Sequence, residues 1–177
     1  MLTEIKVKRL LKSGNWMIRV DNNGKSYNGF LWSEIGKWTE APDWHIGTDC
    51  TGGLFGQSPK AAGYCKSGSR LVLCETKGEQ IIVDYKKVKV QYAKILAING
   101  DIPPIFLEKL VGGSLYLSGC DLKGITLPQS VGGWLDLSGC DLKGITLPQS
   151  VGGSLDLRDC DLKGITLPQS VGGWLDL

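Results

Sequence analysis

The sequence contains very few residues that could bind a metal ion or act as a catalytic base. It has one histidine, and its six cysteines form no C-x-x-C pair. A zinc site needs ligand pairs at short spacing, so the positions of these residues argue against one. We therefore expect no metal, no other cofactor and six reduced thiols.

Long apolar runs are also missing, and so is a strong charge of either sign. No segment approaches the roughly 20 apolar residues of a membrane-spanning helix, and residues 1–16 have no apolar signal core. These absences predict a cytoplasmic protein with no membrane partner. The net charge of +2 divides into +5 for residues 1–106 (15 Lys/Arg, 10 Asp/Glu) and −3 for residues 107–177 (five and eight). Neither balance is typical of a dedicated nucleic-acid-binding protein.

The most informative feature that is present is a 20-residue internal repeat. From Leu107 the chain reads LEKLVGGSLYLSGCDLKGIT, LPQSVGGWLDLSGCDLKGIT, LPQSVGGSLDLRDCDLKGIT and the fragment LPQSVGGWLDL. Within each unit the residues alternate, so that Leu135 and Leu137 would face one side of a strand. Trp134 and Asp136 would face the other side. One such strand cannot bury its apolar side alone, so we expect the copies to stack as a parallel β-solenoid over a shared core.

Two families of solenoid resemble this unit. The spacing Leu135-x-Leu137-x-x-Cys140-x-Leu142 resembles the leucine-rich-repeat core, with cysteine in its Asn/Cys position. The unit departs from that core at Gly132, which stands where the first leucine is expected. The segments DLSG and DLKG resemble the signature of the pentapeptide-repeat β-helix. A 20-residue unit would also divide into four pentapeptides. A leucine-rich-type solenoid is the favoured interpretation, and a quadrilateral pentapeptide-type coil is the alternative.

The differences between the copies predict a recognition face. After the entry segment they fall at positions 114/134/154, 116/136, 118/138/158 and 139/159, whereas the core leucines, cysteine and isoleucine do not vary. The first three columns face outward on the predicted strand. Exposed tryptophan beside aspartate and arginine is typical of protein interfaces. The predicted interaction surface comprises Ser114, Tyr116, Trp134, Asp136, Ser138, Ser154, Asp156, Arg158, Trp174 and Asp176.

These features predict a binding or scaffold protein with a protein partner. The acidic repeat face would repel phosphate, which disfavours nucleic acid as the partner. A further hypothesis is an acidic solenoid that mimics DNA. Because the last repeat stops at Leu177 within a strand, we also expect a longer array or end-to-end association through the uncapped last coil.

Residues 1–102 contain no repeat, and we predict a small α+β domain there that caps a solenoid in residues 103–177. Strands are expected at residues 4–11, 15–20, 71–75, 80–84 and 88–98, with a turn at 21–24. A helix is expected to start at Ser58 and Pro59. Ile105, Phe106 and Leu110 are expected to plug the first coil.

Three segments of the N-terminal region carry a resemblance to a known family. They are YNGF at 27–30, CTGGLFGQSP at 50–59 and GSRLVLCE at 68–75. Together they resemble an uncharacterised family of domains that precede short solenoid repeats in bacterial and phage proteins. Membership implies a phage or bacterial origin and no known activity.

The N-terminal region also allows an enzymatic alternative. Small ADP-ribosyltransferase-like domains have a similar combination of an aromatic-glycine stretch, a short helix and a strand with a glutamate. The candidate residues here would be His45, Ser69 and Glu75. A nucleophile–base pair of His45 with Cys50 or Cys65 is a second enzymatic hypothesis. The glycine-rich stretch 47–56 lacks the lysine of a nucleotide-binding P-loop.

Overall fold

A computed structural model describes residues 2–26, 29–61 and 68–177 of the chain. Within those residues the protein is a mixed α+β structure, with two antiparallel sheets followed by two parallel sheets of very short strands. The elements in chain order are α1 (Glu4–Ser13), β1 (Trp16–Asp21), β2 (Trp38–Glu40), β3 (Leu54–Gly56), β4 (Arg70–Lys77), β5 (Ile81–Val83), β6 (Lys87–Val90), β7 (Tyr92–Ile98), a 3₁₀ turn (Asn99–Asp101), α2 (Ile105–Glu108), β8 (Leu115–Tyr116), β9 (Ser130–Val131), β10 (Leu135–Asp136), β11 (Ser150–Val151), β12 (Leu155–Asp156), β13 (Ser170–Val171) and β14 (Leu175–Asp176).

The two antiparallel sheets contain the first seven strands. One has the order β1-β4-β7-β2 and the other has the order β3-β6-β5. The strands predicted at 15–20, 71–75 and 80–84 are confirmed, with small differences at their ends. The strand predicted at 88–98 is wrong as a single element. It divides at Gln91, because β6 pairs with β3 and β5 whereas β7 pairs with β4 and β2.

The strand predicted at residues 4–11 is wrong, because this segment is the helix α1. The Thr3 side chain accepts a hydrogen bond from the backbone of Lys6, and Gly14 ends the helix with a φ of 68°. These are ordinary N-terminal and C-terminal caps. The alternation of charged and apolar residues in EIKVK imitates a strand, but only Leu10 is fully buried and Ile5 is exposed. The two caps and the burial of Leu10 therefore favour a helix over the strand that the five-residue alternation predicted.

The helix predicted to start at Ser58 is also wrong for the residues that the structure describes there. The backbone N–H groups of Ser58 and Ala61 each donate to the other's carbonyl oxygen, at 3.2 and 3.0 Å. Residues 58–61 therefore form a tight turn, and the preceding Gln57 pairs with Ile18 of β1. The Ser58 hydroxyl accepts from the N–H of Lys60 at 3.2 Å, so the side chain that suggested a helix cap stabilises the turn instead. Residues 62–67 lie outside the described residues.

One hydrophobic core connects the first antiparallel sheet to the repeats. Trp16 of β1 packs edge-on against Phe106 of α2, with ring centroids 4.9 Å apart. Phe106 and Leu110 are buried in a cluster that continues through the repeat leucines to Leu157, and Ile105 packs against it. Residues 105–110 therefore fill the space between the first sheet and the first repeat.

Residues 111–177 form the two parallel sheets. One has the order β14-β12-β10-β8 and the other has the order β13-β11-β9. The register joins each residue to its counterpart in the next repeat, as Leu135 pairs with Leu115 and with Leu155. The first unit adds a strand to one sheet only, and each later unit adds one strand to each sheet, so the copies stack directly on one another.

The faces of these strands alternate as the sequence predicts. Leu135, Leu137 and Cys140 are buried, whereas Trp134 is 56 % exposed. Asp136 is half-buried instead of fully in water, because its carboxylate folds back onto its own turn. The stacking of these units therefore buries the invariant strand leucines and leaves the variable columns outside the core.

Candidate functional site

We use the name repeat face for the ten residues predicted to form an interaction surface. The structure brings them together as three adjacent columns, because successive strands are in register. Backbone hydrogen bonds of 2.8–2.9 Å hold the columns, such as those from Leu115 to Trp134 and from Leu135 to Ser154. The columns are Ser114, Trp134, Ser154 and Trp174; then Tyr116, Asp136, Asp156 and Asp176; then Ser138 and Arg158, which follow Ser118.

In the first column, serine and tryptophan make different contacts with the next repeat. The Ser114 hydroxyl accepts a hydrogen bond from the backbone N–H of Trp134 at 2.9 Å, and Ser154 does the same for Trp174 at 3.0 Å. The two indoles remain exposed, by 56 % and 79 %. A serine therefore stabilises the next repeat, whereas a tryptophan adds apolar surface that faces solvent.

The glycine pair of each repeat leaves the space that the side chains of the first column occupy. A Cβ atom on Gly153 would lie 2.5 Å from Cδ1 of Trp134, so the indole rests against the next repeat at a point where no other residue fits. The corresponding atom on Gly173 would lie 2.6 Å from the Ser154 hydroxyl. The side chains of this column therefore lean along the stack onto the next repeat.

The second and third columns are joined by hydrogen bonds within each repeat. Asp136 accepts from the backbone N–H of Ser138 at 3.0 Å and from its hydroxyl at 2.7 Å. Asp156 accepts from the guanidinium of Arg158, with Nη2 at 2.6 Å. Hydrogen bonding by Arg158 holds the pKa of Asp156 below its ordinary value. Aspartates directly opposite one another on neighbouring strands repel, and Arg158 offsets part of that repulsion.

The repeated cysteines are structural in this arrangement. The thiols of Cys140 and Cys160 each donate to a backbone carbonyl of the preceding repeat, Leu117 and Leu137, at 3.1 Å. Burial raises the pKa of Cys140 to about 11, so it stays a protonated thiol at neutral pH. Such a thiol is a poor nucleophile, and it satisfies a backbone acceptor inside the stack.

The residues nominated for ADP-ribosyl transfer are engaged by different partners. Glu75 accepts from Lys6 at 2.6 Å and from Arg9 and Lys94 at 3.0 Å. Partial burial raises the pKa of Glu75, but the hydrogen bonds and charges of Lys6 and Lys94 outweigh burial and leave the pKa lowered. His45 instead contacts Asp49, and Ser69 contacts Asn22. Among the described residues, no hydrogen bond or ion pair joins any two of the three.

The other enzymatic hypotheses also find no assembled site among the described residues. The Cys50 thiol donates to Asp84 at 3.3 Å instead of pairing with His45, and Cys65 lies outside the described residues. The glycine-rich stretch is held by Lys89, whose ammonium donates to Asp49 at 3.2 Å and to the carbonyl of Thr51 at 3.0 Å.

Lys89 is a fully buried cation that the sequence pattern did not reveal. Its side chain is fully buried, between Val88 and Val90, which are also buried. The hydrogen bond from His45 and then that from Lys89 hold the pKa of Asp49 well below its usual range. The only sequence signal was the alternation KVKV, which ordinarily places lysines in water. The contact of Lys89 with the 43–53 loop could therefore not be predicted from the sequence.

Comparison with protein-family models, with curated proteins and with solved structures found no match for the chain. Within residues 2–26, 29–61 and 68–177, no three His, Cys, Asp or Glu side chains are grouped as a metal site would need. The same residues contain no helix with the length and apolar character needed to cross a bilayer. The repeat face is therefore the strongest candidate site, on its geometry alone.

Proposed function

We propose that this chain is a binding protein whose residues 103–177 form a β-solenoid of 20-residue coils that presents the repeat face to a protein partner. One observation carries the proposal: after the entry segment of the first copy, none of the positions that differ between the repeats is buried. Buried Leu135, Leu137 and Cys140 have identical counterparts in the neighbouring repeats, whereas Trp134 alternates with serine. A stack that served only as a spacer would have no physical need for exposed indoles, which cost solubility.

The coil is of the leucine-rich type in this proposal. Support comes from the thiol column, in which Cys140 and Cys160 donate between successive coils from the Asn/Cys position of that core. The pentapeptide-type alternative is supported by pairs of core residues that are spaced five residues apart along the chain, at 135/137, 140/142 and 145/147. It loses support on the fourth side, where Val151 is buried and its neighbours Ser150 and Gly152 are not.

A protein partner is favoured over DNA mimicry by the charges beside the acidic column. Asp156 is already paired with Arg158, and the exposed residues of the following turn alternate in sign, as Asp141 and Lys143 do. Residues 107–177 carry five cations against eight anions. A surface of mixed charge with exposed tryptophans resembles the anchors of protein interfaces more than a continuous row of phosphates.

The test is a peptide-display selection against the immobilised chain, counter-selected with the double variant Trp134→Ser/Trp174→Ser. Serine already occupies this column at Ser114 and Ser154, so the double variant should retain the melting temperature of the parent. We expect selected peptides to bind the double variant at least about tenfold more weakly, the size of effect that removing an interface tryptophan produces.

Two control variants separate the face from the fold. Trp38→Ala removes an exposed tryptophan of β2, outside the repeats, and should leave peptide binding unchanged. Leu137→Ala empties a fully buried site and should cost about 2–5 kcal/mol of unfolding free energy. A selection that enriches no peptide dependent on Trp134 or Trp174 would refute the proposed function.

A further inference from the structure

The spacing of the two exposed indoles carries an inference that rests on the proposed function. Trp134 and Trp174 occupy equivalent positions two coils apart, with the small side chain of Ser154 between them. Parallel strands lie about 4.8 Å apart, so two steps separate the indole attachment points by about 9.6 Å. A partner segment laid along the stack must therefore offer same-side contacts at nearly that distance.

Different backbone conformations offer different distances. An extended β-segment presents same-side residues about 6.7 Å and about 13 Å apart, and neither value fits. An α-helix presents residues seven apart at about 10.5 Å, which is about 1 Å too long. A polyproline II segment presents every third residue on one side at about 9.3 Å, which fits within a few tenths of an ångström.

The charge of the neighbouring column determines the composition of the segment. Asp136, Asp156 and Asp176 lie one coil apart beside the tryptophans, and only Asp156 has an arginine partner on this face. An acidic row beside exposed indoles attracts cationic side chains, both as ion pairs and over the aromatic rings. Aromatic surfaces are also what proline-rich segments dock against.

We propose that the repeat face binds a basic, proline-rich segment of another protein in the polyproline II conformation, with residues three apart resting on Trp134 and Trp174. The segment runs along the stack, and its arginines or lysines lie over the aspartate column. Ser154 leaves the gap that the residues between the two contacts pass over.

The test uses three synthetic peptides labelled with fluorescein, titrated with the full chain and followed by fluorescence anisotropy. The first has proline at every third position with interspersed arginine. The second has the same composition, with its prolines rearranged so that no two are three residues apart, and the third replaces arginine by glutamate. We expect the first to bind at least about tenfold more tightly than either of the others, and its binding to weaken as salt is raised.

A rearranged protein variant tests the spacing from the other side. Trp134→Ser/Ser154→Trp keeps two tryptophans but places them in consecutive coils, about 4.8 Å apart. Its affinity for the first peptide should fall about tenfold, as should that of Trp134→Ser/Trp174→Ser. The affinity of Trp38→Ala should be unchanged. Retained binding by the rearranged variant, equal binding of the first two peptides, or equal binding of the first and third peptides would overturn the proposal.

The outcomes also separate this proposal from the one on which it rests. If the display selection yields tryptophan-dependent peptides but the first synthetic peptide does not bind, the repeat face is a binding surface and the polyproline II assignment is refuted. If neither experiment gives binding that depends on Trp134 and Trp174, both proposals are refuted.

Discussion

Adding one methyl group at two equivalent glycines should have different effects on the free energy of unfolding. Gly112 and Gly152 occupy the same position of the repeat, in the first and third copies. A Cβ atom on Gly112 would meet nothing within 4 Å, whereas one on Gly152 would overlap the carbonyl oxygen of Gly132 in the preceding copy. The neighbouring hydrogen bond from Gly152 to Val131 is 2.8 Å, so the copies cannot separate without losing it.

The expected magnitudes follow from these contacts. Gly152→Ala forces backbone apart within a packed stack, and overpacking of this kind costs about 1–3 kcal/mol. Gly112→Ala meets open space and restricts the unfolded chain, so it should be neutral or stabilising by up to about 1 kcal/mol. The two variants should therefore differ by about 1–4 kcal/mol, although each adds the same atom to the same repeat position.

Urea unfolding followed by circular dichroism measures this difference as a shift in the midpoint at constant slope. A changed slope for Gly152→Ala would mean that the repeats no longer unfold together with the first sheet, with which they share a core. Equal midpoints for the two variants would refute the direct stacking of one repeat on the next, and the column geometry of the repeat face would be refuted with it.

Two further predictions concern titrating groups. Glu75 has a lowered folded-state pKa, so its contribution to stability is complete above the ordinary glutamate pKa of about 4.3 and is lost as pH falls through the folded value. Glu75→Gln should therefore flatten the acid side of the stability–pH curve measured by urea unfolding, and an unchanged curve would contradict the ion cluster. In a Cys65→Ser background, exposed Cys50 should react with a thiol reagent in the native state. Cys74 and Cys140, whose pKa values burial raises to about 12 and about 11, should react only on unfolding, and rapid labelling of either would refute its burial.

The sequence alone was sufficient for the repeats because their signal is periodic and local. An alternation such as that of Trp134, Leu135 and Asp136 specifies which side is buried once a second copy is available to cover it. The near-identity of the copies then specifies the register, since only an offset of 20 pairs like with like. The inward leucines and the outward tryptophans were both predictable on this basis.

The N-terminal region was less predictable because its local signals are short and compete with tertiary contacts. The charged and apolar residues of EIKVK fit a strand as well as a helix until the caps at Thr3 and Gly14 are included. Ser58 and Pro59 fit a helix start, but pairing of Gln57 with Ile18 holds this chain segment against β1 and makes it turn. Lys89 can be buried because its ammonium forms an ion pair with Asp49, which is distant in the sequence.

The repeat architecture explains why a varied surface can be built while the stack keeps the same backbone arrangement. In the outward column a serine hydroxyl caps the next backbone N–H, as Ser114 does for Trp134, whereas an indole rests on the glycine of the next repeat. Either residue is therefore compatible with the stack, because the glycine pair keeps the same space open in every repeat. The inward positions have no such freedom, since Leu137 and its counterparts fill one continuous core. Substitution in the outward columns can thus alter the exposed surface while the buried positions and the hydrogen bonds between repeats remain the same.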